Sequence, residues 1–156
     1  MESPVLVKII VFIVILFDNS ELGIRYFLSI AMKGRILLVD DNPNLTNLLA
    51  RALGKFGYET WEENDSMRAH ATIQRLQPDL ILLDVMMPGK DGGDVLAELR
   101  SDFHLSRIPV IMLTALAHEA GSLAQIAGGN CPVIGKPVEL SVLIREIERM
   151  LGRVAA

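Results

Sequence analysis

The segment that decides the fold reads Ile36-Leu37-Leu38-Val39-Asp40-Asp41-Asn42-Pro43. Its first four residues form an unbroken apolar run, which is typical of a strand buried on both faces of a parallel sheet. Asn42 followed by Pro43 is typical of a helix that begins with an N-cap and a proline in its first turn. The segment therefore predicts a buried strand that ends in two aspartates and leads directly into a helix.

The same alternation of short apolar runs and amphipathic stretches continues along the chain. Strands are predicted at residues 36–39, 58–62, 80–83, 110–113 and 132–134. Helices are predicted at residues 45–56, 69–76, around 95–99, at 116–127 and at 140–151. Five strands that alternate with five helices through right-handed crossovers predict an α/β fold, a doubly wound parallel sheet with helices on both faces.

The composition is typical of one globular domain in which acidic residues slightly outnumber basic ones. The chain has 156 residues, 51% of them hydrophobic and 22% charged, and its 15 basic and 19 acidic residues give a net charge of −4. This balance argues against general nucleic-acid binding, which needs a basic surface, so we expect no nucleic-acid partner. The single cysteine, Cys131, excludes an internal disulfide and is typical of a reducing compartment. We therefore expect a cytoplasmic location.

Residues 1–31 differ from the rest of the chain and contain a strongly apolar stretch at 5–17. This stretch is interrupted by Lys8 and is too short for a membrane-spanning helix, which needs about 20 apolar residues. The start Met1-Glu2-Ser3-Pro4 lacks the basic residues of a secretory signal. We therefore expect residues 1–31 to be an N-terminal apolar extension of uncertain status, before a domain at 32–156. A helical dimerisation segment or a membrane-surface segment is the alternative.

Polar side chains follow four of the predicted strands at the point where each strand ends. The carboxyl ends of the strands in an open α/β sheet face one crevice, where ligands bind. We therefore expect the following residues to meet, although the chain separates them widely: Asp40, Asp41, Asp84, Thr114 and Lys136.

Three carboxylates that lie together repel one another unless a cation compensates their charge. Mg²⁺ suits a site with few carboxylates and several waters, and its remaining positions can take phosphoryl oxygens. Lys136 would neutralise another phosphoryl oxygen, and the Thr114 hydroxyl group would donate a hydrogen bond to a third. Because phosphoryl transfer needs mainly positioning and charge compensation, one acid is then free to act as the nucleophile. We expect this acid to be Asp84, which follows the central strand, with formation of an aspartyl phosphate.

These motifs, in this order and spacing, resemble the receiver domain of two-component response regulators. The resemblance covers residues 34 to about 151 and rests on Ile36–Asp41, Asp84–Gly92, Thr114-Ala115 and Lys136-Pro137. It implies a flavodoxin-like sheet with the strand order 2-1-3-4-5 and a phosphoacceptor at Asp84, which acts with Thr114 and Lys136. It also implies a cis Lys136-Pro137 bond and a cofactor Mg²⁺ held by Asp40, Asp41, Asp84 and the backbone carbonyl of Met86.

The resemblance also implies partners. The phosphate would come from a sensor histidine kinase or a histidine phosphotransfer protein, and the phosphorylated form would contact an unknown downstream protein or pass the phosphate on in a relay. Such a protein is not an enzyme in the usual sense, because it catalyses only its own phosphorylation and dephosphorylation. Because the chain ends five residues after Leu151, we expect a stand-alone receiver. No membrane partner is expected, and a homodimer through the last helix-strand-helix face is a further expectation.

Two other functions agree with parts of the pattern. A pseudo-receiver would be a constitutive protein-interaction module that is never phosphorylated, and the complete set of aspartates, threonine and lysine opposes it. Val133 favours it, because receivers commonly carry Tyr or Phe at this position, three residues before the lysine. A flavodoxin-like cofactor binder would carry a phosphate loop rich in Ser, Thr and Gly after the first strand, where this chain has Asp40-Asp41-Asn42-Pro43.

Several other residues have ordinary structural roles in this interpretation. We expect Asp91 to lie in a turn or to cap a helix, and Cys131 to be a small buried hydrophobic residue. Met86 and Met87 are expected to pack their side chains in the loop after the third strand. The three histidines lack the spacing of metal ligands and are expected on the surface or in the core: His70, His104 and His118.

Overall fold

The computed structural model describes residues 32–115 and 131–152. The strands are β1 (Gly34–Val39), β2 (Tyr58–Glu63), β3 (Leu80–Asp84), β4 (Val110–Thr114) and β5 (Val133–Gly135). The helices are α1 (Pro43–Lys55), α2 (Ala69–Leu76), α3 (Gly92–Ser101) and α4 (Leu140–Met150), and a 3₁₀ turn (Ser66–Arg68) precedes α2. The helix predicted at 116–127, the extension predicted at 1–31 and His118 lie outside the described residues.

The five strands form one parallel sheet in the order β2-β1-β3-β4-β5, which confirms the predicted fold class and strand order. Leu38 of β1 lies opposite Leu82 of β3, and Asp84 at the end of β3 lies opposite Leu113 of β4. All strands run in the same direction, so their carboxyl ends form one edge of the sheet. We call this the carboxyl edge, and the opposite one the amino edge.

Local sequence sets the boundaries of the helices next to the carboxyl edge. The Asn42 side chain accepts hydrogen bonds from two backbone amides in the first turn of α1, at 3.1 and 3.3 Å, and Pro43 begins that helix as predicted. Gly57 follows α1 with a φ of 89°, which glycine adopts without strain. The Asp91 side chain accepts a hydrogen bond from the Asp94 amide at 2.9 Å and caps α3, which confirms its predicted role.

The sheet separates two hydrophobic layers. Helices α2 and α3 cover one face, in a layer that includes Leu37, Ile73, Ile81, Leu83, Leu99 and Met112. Helices α1 and α4 cover the other face, in a layer that includes Ile36, Leu38, Leu53, Leu82, Leu113 and Ile147. Cys131 is buried in the α2–α3 layer, where burial raises the pKa of its thiol to about 11. This confirms its predicted role as a small buried hydrophobic residue.

The two methionines after β3 differ from each other. Met87 is buried as predicted, but the Met86 side chain is 58% exposed, so the prediction that Met86 packs in the loop is wrong. Met87 packs in the α2–α3 layer, whereas the Met86 backbone amide is bonded to the Asp84 carboxylate and the Met86 side chain faces solvent. Of the histidines, His104 is exposed and His70 is partly exposed, with its Nε2 atom 3.6 Å from an Asp102 carboxylate oxygen.

No helix among the described ranges is both long enough and apolar enough to cross a membrane.

Candidate functional site

The end of β3 places Asp84 at the carboxyl edge of the sheet. The four residues before it are buried, and Asp84 itself is 3% exposed. Two hydrogen bonds hold the backbone of the next residue, Val85. Its amide donates to the Leu113 carbonyl at 2.9 Å, and its carbonyl accepts from the Gly92 amide at 2.8 Å. The strand β4 and the start of α3 thus fix the backbone that carries the Asp84 side chain.

Gly92 lies where no larger residue fits. A Cβ atom at this position would lie 2.3 Å from the Asp84 carbonyl oxygen and 2.9 Å from the Val85 Cα atom. Both are backbone atoms of the segment that carries the Asp84 side chain, so they cannot move aside without displacing it. The motif that contains Gly92 was recognised from the sequence, but this close approach was not predicted.

The structure brings Asp40, Asp41 and Asp84 together in one acidic cluster. One carboxylate oxygen from each residue lies within 4.8 Å of the others. Asp40 is 3% exposed, like Asp84, whereas Asp41 is exposed to solvent. The cluster forms because β1 and β3 are neighbours in the sheet and both end at the carboxyl edge.

Lys136 joins the two buried carboxylates of this cluster. Its Nζ atom lies 2.7 Å from an Asp40 oxygen and 2.8 Å from an Asp84 oxygen. Its backbone amide donates to the Thr114 carbonyl at 2.6 Å, and its peptide bond to Pro137 is cis, as the resemblance implied. The end of β5 therefore brings the ammonium group to the same point as the ends of β1 and β3.

Thr114 ends β4, and its side chain is completely buried. It lies opposite Gly135 in the register of the sheet, while the preceding residue, Leu113, lies opposite Asp84. Thr114 therefore follows directly after the residue that lies opposite Asp84. Its strand, β4, lies between β3, which ends at Asp84, and β5, which leads to Lys136. The Met86 amide donates a hydrogen bond to the Asp84 carboxylate, which places the Met86 backbone beside the cluster.

The site holds three carboxylates against one ammonium group. Burial raises the pKa of the Asp84 carboxyl group, and the charge of Asp40 adds to this effect, although hydrogen bonds from Lys136 and the Met86 amide oppose it. Burial alone would lower the pKa of Lys136, but its hydrogen bonds and charge interactions with Asp40 and Asp84 outweigh burial and raise it. Lys136 is therefore held as a cation, and the cluster still carries excess negative charge.

This donor set fits a hard divalent cation such as Mg²⁺. Mg²⁺ prefers oxygen ligands and keeps several of its waters, so a few carboxylates are sufficient. The exposed Asp41 opens the cluster to solvent, and a bound cation removes the repulsion between the carboxylates. The side chains that would hold the ion are those of Asp40, Asp41 and Asp84.

Two polar residues that support the site were not predicted from the sequence. The Asn64 side chain donates to the Asp40 carbonyl at 2.6 Å. The buried Ser66 hydroxyl donates to the Pro88 carbonyl at 2.7 Å and accepts from the Lys90 amide at 3.1 Å, which ties the loop after β3 to the 3₁₀ turn. Both residues follow β2, so the rule applied to the ends of the other strands would have pointed to Asn64.

A doubly wound parallel sheet with an acidic cluster and a lysine at its carboxyl edge defines a flavodoxin-like α/β domain, a class in which ligands generally bind at that edge. A family model described as the response regulator receiver domain matches residues 36–148. The chain therefore belongs to the receiver domain family of two-component response regulators, as its motifs predict.

Relatives and solved structures agree with this assignment. The DNA-binding dual master transcriptional regulator RpaA of Synechocystis sp. is 34% identical over 119 residues, which are 76% of this chain and 49% of RpaA. The phosphate regulon transcriptional regulatory protein PhoB of Pseudomonas aeruginosa is 37% identical over 118 residues, which are 76% of this chain and 52% of PhoB. The crystal structure of the signal receiver domain of a signal transduction histidine kinase from Syntrophus aciditrophicus superimposes with a TM-score of 0.69 at 33% identity, covering 78% of this chain and 92% of that one.

The chain spans about half the length of the curated relatives that it matches. The names of these relatives describe DNA-binding or transcriptional regulators, and the match to this chain lies in the receiver region. The expectation that this chain has no nucleic-acid partner stays a prediction.

Proposed function

We propose that Asp84 accepts a phosphoryl group from a phosphohistidine donor in a Mg²⁺-dependent reaction. The observation that carries this proposal is the Lys136 ammonium group, which lies within 2.8 Å of both buried carboxylates at the edge where Asp41 completes the acidic cluster. Receiver domains are phosphorylated by histidine kinases, so family membership supports a sensor histidine kinase or a histidine phosphotransfer protein as the donor.

In the proposed transfer, one Asp84 carboxylate oxygen attacks the phosphorus atom of the phosphohistidine. The phosphorus–nitrogen bond breaks, its electron pair leaves with the imidazole nitrogen, and the product on Asp84 is a mixed anhydride of carboxylic and phosphoric acid. Such covalent aspartyl phosphates are a known form of nucleophilic catalysis. Because the backbone around Asp84 is fixed by β4 and α3, the carboxylate is held in place before the donor arrives.

The side chains around Asp84 would compensate the charge of the incoming group. Asp40, Asp41 and the Met86 carbonyl would hold Mg²⁺ together with Asp84, and a bound Mg²⁺ shields the negative phosphoryl oxygens from the carboxylates. Lys136 would move part of its contact from Asp84 to a phosphoryl oxygen while it stays paired with Asp40 at 2.7 Å. The Thr114 hydroxyl group would donate to another phosphoryl oxygen.

The phosphorylated domain would change its contacts with a downstream protein or pass the phosphate on in a relay. A route for this change is the hydrogen bond of 2.6 Å between the Lys136 amide and the Thr114 carbonyl, because both residues would contact the phosphoryl group. Val133, half-buried against the α2–α3 layer, stands where receivers commonly carry an aromatic ring. The signal would therefore pass through the backbone of β4 and β5 and not through a ring rotation. Homodimer formation and a cytoplasmic location stay predictions.

Acetyl phosphate, a small phosphodonor, tests the proposal when it is combined with Mg²⁺ and intact-mass measurement. We expect one added phosphoryl group on the wild-type protein, none on Asp84→Asn, and none when Mg²⁺ is chelated. Asp79→Asn is a matched control, because Asp79 immediately precedes β3 and lies at the amino edge beside Arg35, whereas Asp84 ends the same strand. It should be phosphorylated like the wild type.

A wild-type protein that stays unmodified with both acetyl phosphate and a phosphorylated histidine phosphotransfer protein would contradict the proposal. That result would favour the pseudo-receiver, a constitutive interaction module. Equal phosphorylation of the wild type and Asp84→Asn would contradict the choice of Asp84 as the phosphoacceptor.

A further inference from the structure

We infer that Asn64 is a positioning residue for the metal-binding carboxylates, because it holds the peptide group that joins Asp40 to Asp41. Its side-chain nitrogen lies 2.6 Å from the Asp40 carbonyl oxygen. A carbonyl oxygen only accepts hydrogen bonds, so the amide group of Asn64 must turn its donor toward it. This inference rests on the proposed Mg²⁺ site and adds a residue that the motifs do not contain.

The end of β2 fixes the Asp40 backbone on both sides of its Cα atom. The Asp40 amide donates to the Glu63 carbonyl at 3.2 Å, and the Asp40 carbonyl accepts from Asn64. Glu63, the last residue of β2, and Asn64, the residue after it, therefore restrain both backbone torsions of Asp40. Its carboxylate is restrained as well, by the Asn42 amide at 2.9 Å and by Lys136.

Asp41 depends on this arrangement more than Asp40 does. Its side chain is exposed, and within residues 32–115 and 131–152 no hydrogen bond or ion pair holds its carboxylate. The direction of the Asp41 side chain toward the cluster is therefore set by the peptide plane between Asp40 and Asp41, and Asn64 holds the carbonyl of that peptide. If this hydrogen bond is lost, the two carboxylates no longer keep a fixed relative position.

Asn64 is itself anchored to α1 through Thr46. The Asn64 nitrogen also lies 3.1 Å from the Thr46 hydroxyl oxygen, and that hydroxyl group donates to the Glu62 carboxylate at 2.5 Å. Thr46 is 1% exposed, whereas Asn64 and Glu62 lie at the surface, so the anchor ties an exposed amide group to a buried hydroxyl group. The short chain of hydrogen bonds gives the Asn64 amide one orientation, which a freely moving surface side chain would lack.

The test is a calorimetric titration of the full chain with Mg²⁺ alone. Residues that orient metal ligands from outside the coordination shell typically change metal affinity by 10–100-fold. We therefore expect Asn64→Ala to weaken Mg²⁺ binding about tenfold. Asn47→Ala removes an asparagine from an exposed position on α1 and should bind Mg²⁺ like the wild type.

Asn64→Asp separates positioning from electrostatics. The aspartate side chain has the same shape as that of asparagine and adds a negative charge near a cation site. When ionised, it cannot donate to the Asp40 carbonyl. We expect weaker Mg²⁺ binding than in the wild type despite the added charge. Tighter binding by Asn64→Asp, or unchanged binding by Asn64→Ala, would overturn the inference.

A second measurement does not depend on the metal. Without Mg²⁺, the backbone amide resonance of Asp41 should shift in Asn64→Ala and in Thr46→Val, and stay in place in Asn47→Ala. An unmoved Asp41 resonance in Asn64→Ala would contradict the positioning role. A wild-type protein that binds no Mg²⁺ would overturn the proposed function and this inference together, whereas normal Mg²⁺ binding by Asn64→Ala would overturn only this inference.

Discussion

The two edges of the sheet carry ion pairs of opposite character. At the amino edge, the Arg35 guanidinium group meets the Asp79 carboxylate at 3.1 and 3.3 Å, and these side chains are 44% and 41% exposed. At the carboxyl edge, Lys136 meets Asp40 and Asp84, whose side chains are 4% and 5% exposed. At the amino edge the Arg35 cation faces the Asp79 carboxylate, with Glu59 adding a weaker charge interaction, whereas the carboxyl edge adds Asp41 to a lysine that already faces two buried acids.

This difference separates a structural ion pair from the ion pair of the proposed functional site. The amino-edge pair is solvated, and the hydrogen bonds that Arg35 donates to the Asp79 carboxylate raise the pKa of Arg35, so the pair connects β1 to the start of β3 without needing a ligand. The carboxyl edge removes two carboxylates from water and compensates them with one lysine. Burial of charge is costly unless it is fully paired, so the fold gives up stability at the edge where a cation and a phosphoryl group would bind.

Replacement of the cation at each edge should give the largest difference between the edges in the free energy of unfolding. Lys136→Met leaves Asp40 and Asp84 buried without a partner, and we expect the free energy of unfolding to fall by about 3 kcal/mol without Mg²⁺. Arg35→Met breaks a solvated pair and should cost less than about 1 kcal/mol. Urea denaturation at about pH 7 measures both values.

Mg²⁺ sharpens this comparison, because it should narrow the difference in stability between Lys136→Met and the wild type at the same Mg²⁺ concentration, and leave the corresponding difference for Arg35→Met unchanged. A ligand that binds only the folded state stabilises it. Equal losses of stability in the two variants, or an equal response to Mg²⁺, would show that the carboxyl edge carries no special excess of charge.

Replacement of an acid at each edge should change the free energy of unfolding less, and in opposite directions at the two edges. Asp84→Asn removes a buried charge and leaves Lys136 paired with Asp40, so we expect the free energy of unfolding to rise by roughly 1 kcal/mol at about pH 7 without Mg²⁺. Asp79→Asn removes the partner of Arg35 and should lower it slightly.

The gain in Asp84→Asn should depend on pH. Because the pKa of Asp84 is raised in the folded state, the folded protein binds this proton more tightly than the unfolded chain does. The contribution of Asp84 to stability therefore falls as the pH rises from its unfolded pKa through its folded pKa, and the advantage of Asp84→Asn grows over the same range. An advantage that is the same at about pH 4.5 and at about pH 7 would contradict this explanation.

Much of this arrangement is predictable from the sequence, because it depends on where strands end. The apolar runs before Asp40 and Asp84 are buried strands, and parallel pairing then brings their polar ends to one edge. The pattern predicts that Lys136 meets the three acids, but it does not tell that the ammonium group contacts the two buried ones, nor that Asn64 bonds to the Asp40 backbone. Hydrophobicity alone also could not separate Met86, which is exposed, from its buried neighbour Met87.

Titration of the wild-type protein with Mg²⁺, followed by backbone amide resonances, tests most directly that the carboxyl edge is a cation-dependent site and the amino edge is not. The resonances of Asp40, Asp41 and the residues around Asp84 should shift and saturate, while those of Arg35 and Asp79 stay in place. Unmoved resonances at Asp40 and Asp84, or equal shifts at both edges, would contradict the functional difference between them.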